Sequence, residues 1–161
     1  MLSHSASQPQ HETAVRQRWL AVLAKAPSAQ LEAAWNALTD KPAHRALRRA
    51  ETGLVMVRGR IGGTGQPFNF GEMTMTRAAI QLLDAAGAVS HTGFGHVAGR
   101  SARRAELVAL FDALLQDPTR HDALAATVIA PLAAQQEAAK AAQAAKVGAS
   151  KVDFFTMVRG E

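Results

Sequence analysis

The chain has 161 residues, of which 48% are hydrophobic, and its formal net charge is +5. This length and apolar content exclude a disordered chain and are typical of one packed domain. The absence of cysteine excludes a disulfide framework and thiolate metal ligands. No apolar run reaches the ~20 residues of a membrane span, and the polar stretch 1–17 lacks the apolar core of a secretory signal, so we expect a cytoplasmic protein with no membrane contact.

Two helices are predicted at the N-terminal end. Val15, Trp19 and Val22 recur at helical spacing, and Pro27 ends that run. Leu31 and Trp35 share the apolar stripe of a second helix, which ends before the Asp-Lys-Pro sequence at 40–42. Both tryptophans therefore belong to the predicted core of an N-terminal helical hairpin.

The middle of the chain predicts a small antiparallel sheet. Apolar and β-branched residues alternate with glycine-rich turns there, although the segment 76–84 fits a helical turn as well. Four segments are candidates for the strands: residues 44–51, 54–61, 68–83 and 88–98. The sequence therefore predicts an α+β fold with three or four strands between about residues 45 and 98.

Helices return after the sheet. Leu107, Phe111 and Leu114 mark the clearest amphipathic stripe of the chain, which ends at Asp117-Pro118. Another helix is predicted from about Thr119, with a kink or restart at Pro131. Residues 133–145 are almost all Ala, Gln, Lys and Glu, which favours helix but offers little apolar bulk. We therefore expect an extended C-terminal arm.

The last residues of the chain are unusually apolar. Chain ends are normally polar unless something holds them. The sequence thus predicts one α+β domain over residues 1–148 and a docking tail over 149–161. Either a partner subunit or the chain's own sheet would bury this tail. The predicted partner-binding residues are Val152, Asp153, Phe154, Phe155, Met157, Val158 and Arg159.

Most of the positive charge comes from arginine, which binds phosphate and carboxylate bidentately. The arginines are spread along the chain and few aromatic residues lie among them, which disfavours a base-stacking surface. They fit a solvated basic surface, a site for anionic ligands, or contacts with acidic partner subunits. Nucleic acid is not among the expected partners.

The sequence does not predict a catalytic or metal site. His91 and His96 are separated by an odd number of residues, which places them on opposite faces of a strand. No nucleophile stands in a recognisable motif with its base, and no pair of carboxylates is set apart by its spacing. We therefore assign no catalytic residue and no metal ligand in this chain.

A glycine-rich loop is the one candidate for substrate contact. Gly62, Gly63, Thr64 and Gly65 follow a predicted strand, and their backbone N–H groups could meet a phosphate with Arg77 closing on it. The Lys-Ser/Thr ending of a P-loop is missing, and a hairpin turn explains the glycines equally well. Both interpretations stay open at this point.

Three stretches of the sequence together resemble the PhnG family, the G subunit of the bacterial carbon–phosphorus lyase core complex. They are residues 51–55 (ETGLV), residues 62–79 around the glycine-rich loop and Arg77, and residues 150–160 (SKVDFFTMVRG). The similarity runs from about Thr13 to Gly160. The sequence departs from the family pattern before Thr13 and between residues 85 and 94.

The resemblance implies a role in phosphonate catabolism under phosphate starvation. The expected partners are PhnI, PhnH and PhnJ type core subunits, with PhnL bound transiently. Such a complex transfers ribose 5-triphosphate from ATP to an alkylphosphonate with release of adenine, so ATP is a substrate of the complex and this chain needs no cofactor. The resemblance implies an accessory or structural subunit of a multisubunit transferase that is not catalytic alone.

Overall fold

In the computed structural model, residues 8–149 are described, with side chains from Thr13 onward. The helices and strands follow one another in the order expected for an α+β fold, with helices before and after the sheet. They are α1 Gln8–Leu23, α2 Ser28–Ala37, β1 His44–Arg60, β2 Pro67–Leu83, β3 Val89–Ala98, α3 Ala102–Leu115, α4 Pro118–Leu124 and α5 Ala130–Ala149. The predicted fold class is confirmed.

The sheet is an antiparallel meander in the order β1-β2-β3. Within the described range it has three strands, since the segment 44–51 is the first half of β1 and not a fourth strand. Register shifts between Ala46 and Glu51 mark bulges in β1, and these broke the alternation from which one long strand would have been predicted. The segment 76–84, for which a helical turn was the alternative, is almost entirely strand.

The helices cover one face of the sheet. Ala78, Ile80 and Leu82 project from alternate positions of β2 into the core, where α3 packs on them. The stripe predicted from Leu107 to Leu115 is fully buried in α3. The N-terminal helices complete this layer, and Trp35 of α2 meets Phe111 edge-to-face with ring centroids 6.3 Å apart.

Two glycines of β3 let α3 lie directly on the strand. A Cβ atom added at Gly93 would collide with the carbonyl oxygen of Ala109, and one added at Gly95 with that of Ala105. A helix and a strand approach this closely only where the side chain between them is absent. Gly93 and Gly95 therefore determine the short distance between α3 and β3.

The predicted break at Pro131 takes the form of a wide helical turn. Residues Ala125–Ile129 form a π-helical turn directly before α5. Proline lacks an N–H group and its ring clashes with the carbonyl four residues earlier, so a local change in the hydrogen-bond pattern accommodates it. Leu132, one residue further, returns to the core.

The C-terminal half of α5 leaves the core. Every residue from Glu137 to Ala149 is exposed, as the predicted arm requires. The predicted docking tail, including Val152, Asp153, Phe154, Phe155, Met157, Val158 and Arg159, lies outside the described residues, so its role stays a prediction.

We expect Gly95→Ala to lower the free energy of unfolding by about 1–3 kcal/mol, because the new methyl group forces α3 away from β3. The matched control is Gly53→Ala in β1, where an added Cβ has nothing within 4 Å. Denaturant titration of both variants measures the difference. Equal stability of the two variants would contradict the contact between α3 and β3.

Candidate functional site on the open face of the sheet

The face of the sheet opposite α3 carries a row of polar side chains. Strand pairing sets Glu51 opposite Arg77, and Arg77 opposite His96. All three side chains are exposed, whereas their neighbours Ala78 and Val97 turn into the core. The row therefore crosses all three strands in register on the open face.

Two arginines converge on the Glu51 carboxylate. Arg48 donates to Oε1 from Nη1, and Arg77 donates to the same oxygen from Nε, each at 2.7 Å. These hydrogen bonds, that of Arg48 first, hold the pKa of Glu51 below its usual value. The carboxylate therefore stays ionised at neutral pH and orders both guanidinium groups.

A pocket of about 340 Å³ lies beside this row. Its lining combines apolar and polar groups, and Arg77 and His96 are its basic members. Arg77 in the lining and Arg48 just outside it share the single carboxylate of Glu51, so the cluster beside the pocket carries an excess positive charge that suits the edge of an anionic group. The residues that line it are Glu51, Thr52, Gly53, Leu54, Val55, Met75, Arg77 and His96.

A buried hydroxyl holds the strands under the row. Thr76 is fully buried, and its Oγ1 donates to the carbonyl oxygen of Gly99 at 2.7 Å. The same oxygen accepts from the Ser101 backbone N–H at 3.2 Å and lies 3.0 Å from Thr52 Oγ1. Thr76 thus links β1, β2 and the start of α3, which keeps the neighbouring Arg77 in place.

The glycine-rich loop lies far from this row. It closes the turn between β1 and β2, ten residues of strand from Arg77, which is roughly 33 Å at the rise of a β-strand. Gly62 and Gly63 have φ values of 61° and 79°, a conformation that favours glycine. The turn itself therefore explains these glycines, and the structure does not bring the loop and Arg77 into one site.

Arginines nearer the loop support it directly. Arg60 Nη1 donates to the carbonyl oxygen of Gly65 at 3.0 Å. Arg58 and Arg60 also line a surface cavity of about 480 Å³ together with Gly63 and Pro67. An anion at Gly62, Gly63, Thr64 and Gly65 would meet these side chains, and that contact stays a prediction.

A buried carboxylate in α3 is the functional group that the sequence did not single out. Asp112 is fully buried and accepts from Arg16 Nη2 at 2.6 Å, Arg16 Nε at 3.1 Å and Trp19 Nε1 at 2.9 Å. It also accepts the backbone N–H of Phe94 at 2.8 Å. The one signal in the sequence is an aspartate inside the apolar run from Leu107 to Leu115.

The histidines between residues 13 and 149 are dispersed over the molecule. His91 pairs with Leu82 and His96 with Arg77, so they lie on opposite faces of β3, as their spacing predicts. His121 lies in α4, where its Nδ1 is 2.8 Å from the Leu115 carbonyl oxygen. Within residues 8–149, no three His, Asp or Glu side chains are placed to hold a metal ion.

A larger cavity of about 860 Å³ opens on the other side of the sheet, between α1, β3 and α4. Arg16, Trp19 and His121 contribute to its walls. The Arg16 guanidinium is already bound to Asp112, and Trp19 packs edge-to-face on His121 at 5.4 Å between ring centroids. These side chains serve the packing of α1 on α3.

Comparison with known proteins places the chain in a family. The family described as phosphonate metabolism protein PhnG matches residues 14–160. A protein of Rhizobium meliloti (strain 1021), named alpha-D-ribose 1-methylphosphonate 5-triphosphate synthase subunit PhnG, is 43% identical over 148 residues, 92% of this chain and 91% of that protein.

The chain belongs to the PhnG family.

Two of the three stretches that resemble PhnG meet on one hairpin. Residues 51–55 lie in β1, and residues 62–79 form the loop and most of β2. The first stretch and Arg77 share the pocket on the open face, while the third stretch, 150–160, lies outside the described residues. Between residues 8 and 149, no helix is long and apolar enough to cross a lipid bilayer.

We expect Asp112→Ala to cost about 3–5 kcal/mol of stability, because Arg16, Trp19 and the Phe94 N–H all lose their shared acceptor. Asp122→Ala in α4 is the control, since that carboxylate is exposed. Chemical denaturation of both variants provides the measurement. A loss below 1 kcal/mol for Asp112→Ala would show that this carboxylate does not hold α1 to the sheet.

Proposed function

We propose that this chain is an accessory, structural subunit of a multisubunit α-D-ribose 1-methylphosphonate 5-triphosphate synthase. Membership of the PhnG family, together with the name of the Rhizobium meliloti relative, carries this proposal. The complex would use ATP and an alkylphosphonate, release adenine, and act in the cytoplasm. Its other members would be PhnI, PhnH and PhnJ type subunits, with PhnL bound transiently.

The distribution of apolar surface supports a role in assembly. The β1–β2 hairpin exposes several large apolar side chains, among them Leu54 at 63% and Phe70 at 76% of their full exposure. A soluble protein that works alone rarely keeps such side chains clustered in water. The hairpin is therefore suited to burial against another subunit.

The sequence that follows α5 supports the same role. The exposed half of α5 ends at Ala149, directly before residues 150–161. Two adjacent phenylalanines, Phe154 and Phe155, would each bury about 150–250 Å² in a docked tail. We propose that Val152, Asp153, Phe154, Phe155, Met157, Val158 and Arg159 bind a core subunit of the complex.

Co-purification tests the assembly role. The tagged chain is expressed together with PhnI, PhnH, PhnJ and PhnL type subunits, and the recovered subunits are identified by mass spectrometry. We expect Phe154→Ala combined with Phe155→Ala to abolish recovery of the partner, while circular dichroism of the isolated chain keeps its helical content. Thr156→Ala in the same segment is the matched control. Undiminished recovery by the double variant would exclude the tail as the point of attachment.

The pocket on the open face favours a second candidate function, direct contact with substrate. Arg77 lines this pocket beside His96 and belongs to a cluster with excess positive charge, which suits a triphosphate or phosphonate group. The loop of Gly62, Gly63, Thr64 and Gly65 would then act separately, because it lies at the far end of the hairpin.

Arg77→Ala distinguishes substrate contact from assembly. If Arg77 touches substrate, the assembled complex should contain the variant at full occupancy yet release adenine from ATP at least about tenfold more slowly. Arg45→Ala is the control, because Arg45 bonds the neighbouring strand through Gln81 and does not line the pocket. Unchanged turnover with Arg77→Ala would dismiss the substrate role.

A further inference from the structure

Part of the β1–β2 hairpin extends beyond the rest of the protein. β3 pairs only with residues 75–83 of β2, so residues 54–74 form a two-stranded ribbon past the end of β3. We call this segment the distal ribbon. None of its residues is buried. Because an isolated two-stranded hairpin is marginally stable in water, a structure of this length is expected to have a partner.

The distal ribbon carries a concentration of exposed apolar side chains. Their exposed fractions range from 36% at Met73 to 77% at Ile61, and the rings of Phe68 and Phe70 lie 6.2 Å apart. Exposed apolar groups of this density mark an interaction surface. The set comprises Leu54, Met56, Ile61, Phe68, Phe70 and Met73.

The ribbon also presents an open strand edge. β1 is the first strand of the sheet, and no strand among residues 8–149 pairs with its outer edge. Such an edge offers a row of backbone N–H and C=O groups to an added strand. An extended segment could therefore pair with β1 while its side chains cover the apolar residues of the ribbon.

The charged residues of the distal ribbon indicate which kind of segment can bind at the outer edge of β1. Within the distal ribbon, β1 contributes Arg58 and Arg60, and the β2 half contributes one acidic residue, Glu72. A second copy of this chain paired edge to edge would set arginines against arginines, which is unfavourable. An acidic segment would complement the edge.

We infer that the distal ribbon binds an extended, acidic segment of a partner protein, which adds a strand to the open edge of β1 and covers Leu54, Met56 and Phe70. This inference rests on the proposed function, because it takes the partner from the same complex. The ribbon contact uses a different surface from the proposed contact of residues 152–159, and it requires an acidic partner segment.

Substitutions on the ribbon test the inference in the tagged, co-expressed complex. Leu54→Ser combined with Phe70→Ser removes two highly exposed apolar groups and should lower partner affinity at least about tenfold. Val89→Ser, at an exposed apolar position outside the ribbon, is the matched control. Arg58→Glu should also weaken binding and flatten its salt dependence, whereas Arg18→Glu on α1 should not.

Hydrogen exchange provides an independent readout. Amide groups of β1 that point away from β2 should exchange quickly in the isolated chain and slowly in the complex, in an alternating pattern along the strand. Full protection of these amides in the isolated wild-type chain, lost on deletion of residues 150–161, would assign the edge to this chain's own tail and overturn the inference.

The remaining outcomes separate the two proposals. If the wild-type chain recovers no subunit of the complex, the proposed function fails. If the wild type recovers its partner and the Leu54→Ser, Phe70→Ser variant does so with equal affinity, the ribbon is not the docking surface and only the inference is lost. A wild-type dimer that this variant converts to a monomer would identify a second copy as the occupant and overturn the acidic partner.

Discussion

The fold depends on one buried carboxylate. Asp112 sits in the middle of α3, and four hydrogen bonds from α1 and β3 satisfy it. Removing a carboxylate from water is unfavourable unless hydrogen-bond donors occupy its acceptor sites. Burial of Asp112 in the core therefore requires that Arg16 and Trp19 both donate to it. Gly93 and Gly95 make the arrangement possible, because they bring β3 close enough for the Phe94 N–H to reach the carboxylate.

Because the helices cover only one face of the sheet, polar and apolar side chains of the sheet remain exposed to solvent. All the large buried side chains of the sheet project toward α3, so the opposite face keeps a polar row and the distal ribbon keeps its apolar groups in contact with solvent. A sheet covered on one face commonly leaves the other face wet. The uncovered parts lie in β1 and in residues 67–74 of β2, and this incomplete packing fits a subunit of a larger complex.

Much of this fold could be predicted from the sequence, since its signals are local. The repeat through Leu107 and Leu115 predicts α3, Pro27 and Pro118 mark helix boundaries, and the predicted third strand, 88–98, begins one residue before β3. The open-face row could not be predicted. The register shift between Val57 and Arg58 moves the pairing by one residue, so counting back from the turn would set Glu51 opposite Thr76 instead of Arg77. The burial of Asp112 could not be predicted either, because it depends on hydrogen-bond donors that lie 18 to 96 residues away in the chain.

That sequence separation has a consequence for biosynthesis. Arg16 and Asp112 are 96 residues apart, so α1 leaves the ribosome long before the carboxylate that holds it in place. The hairpin, whose contacts are nearer in sequence, can form earlier, with the core-facing side of β2 still uncovered until α3 follows. During synthesis the nascent chain therefore passes through a period in which both faces of its sheet are accessible. The exposed apolar face of β2 makes this the stage at which we expect chaperones to bind most strongly.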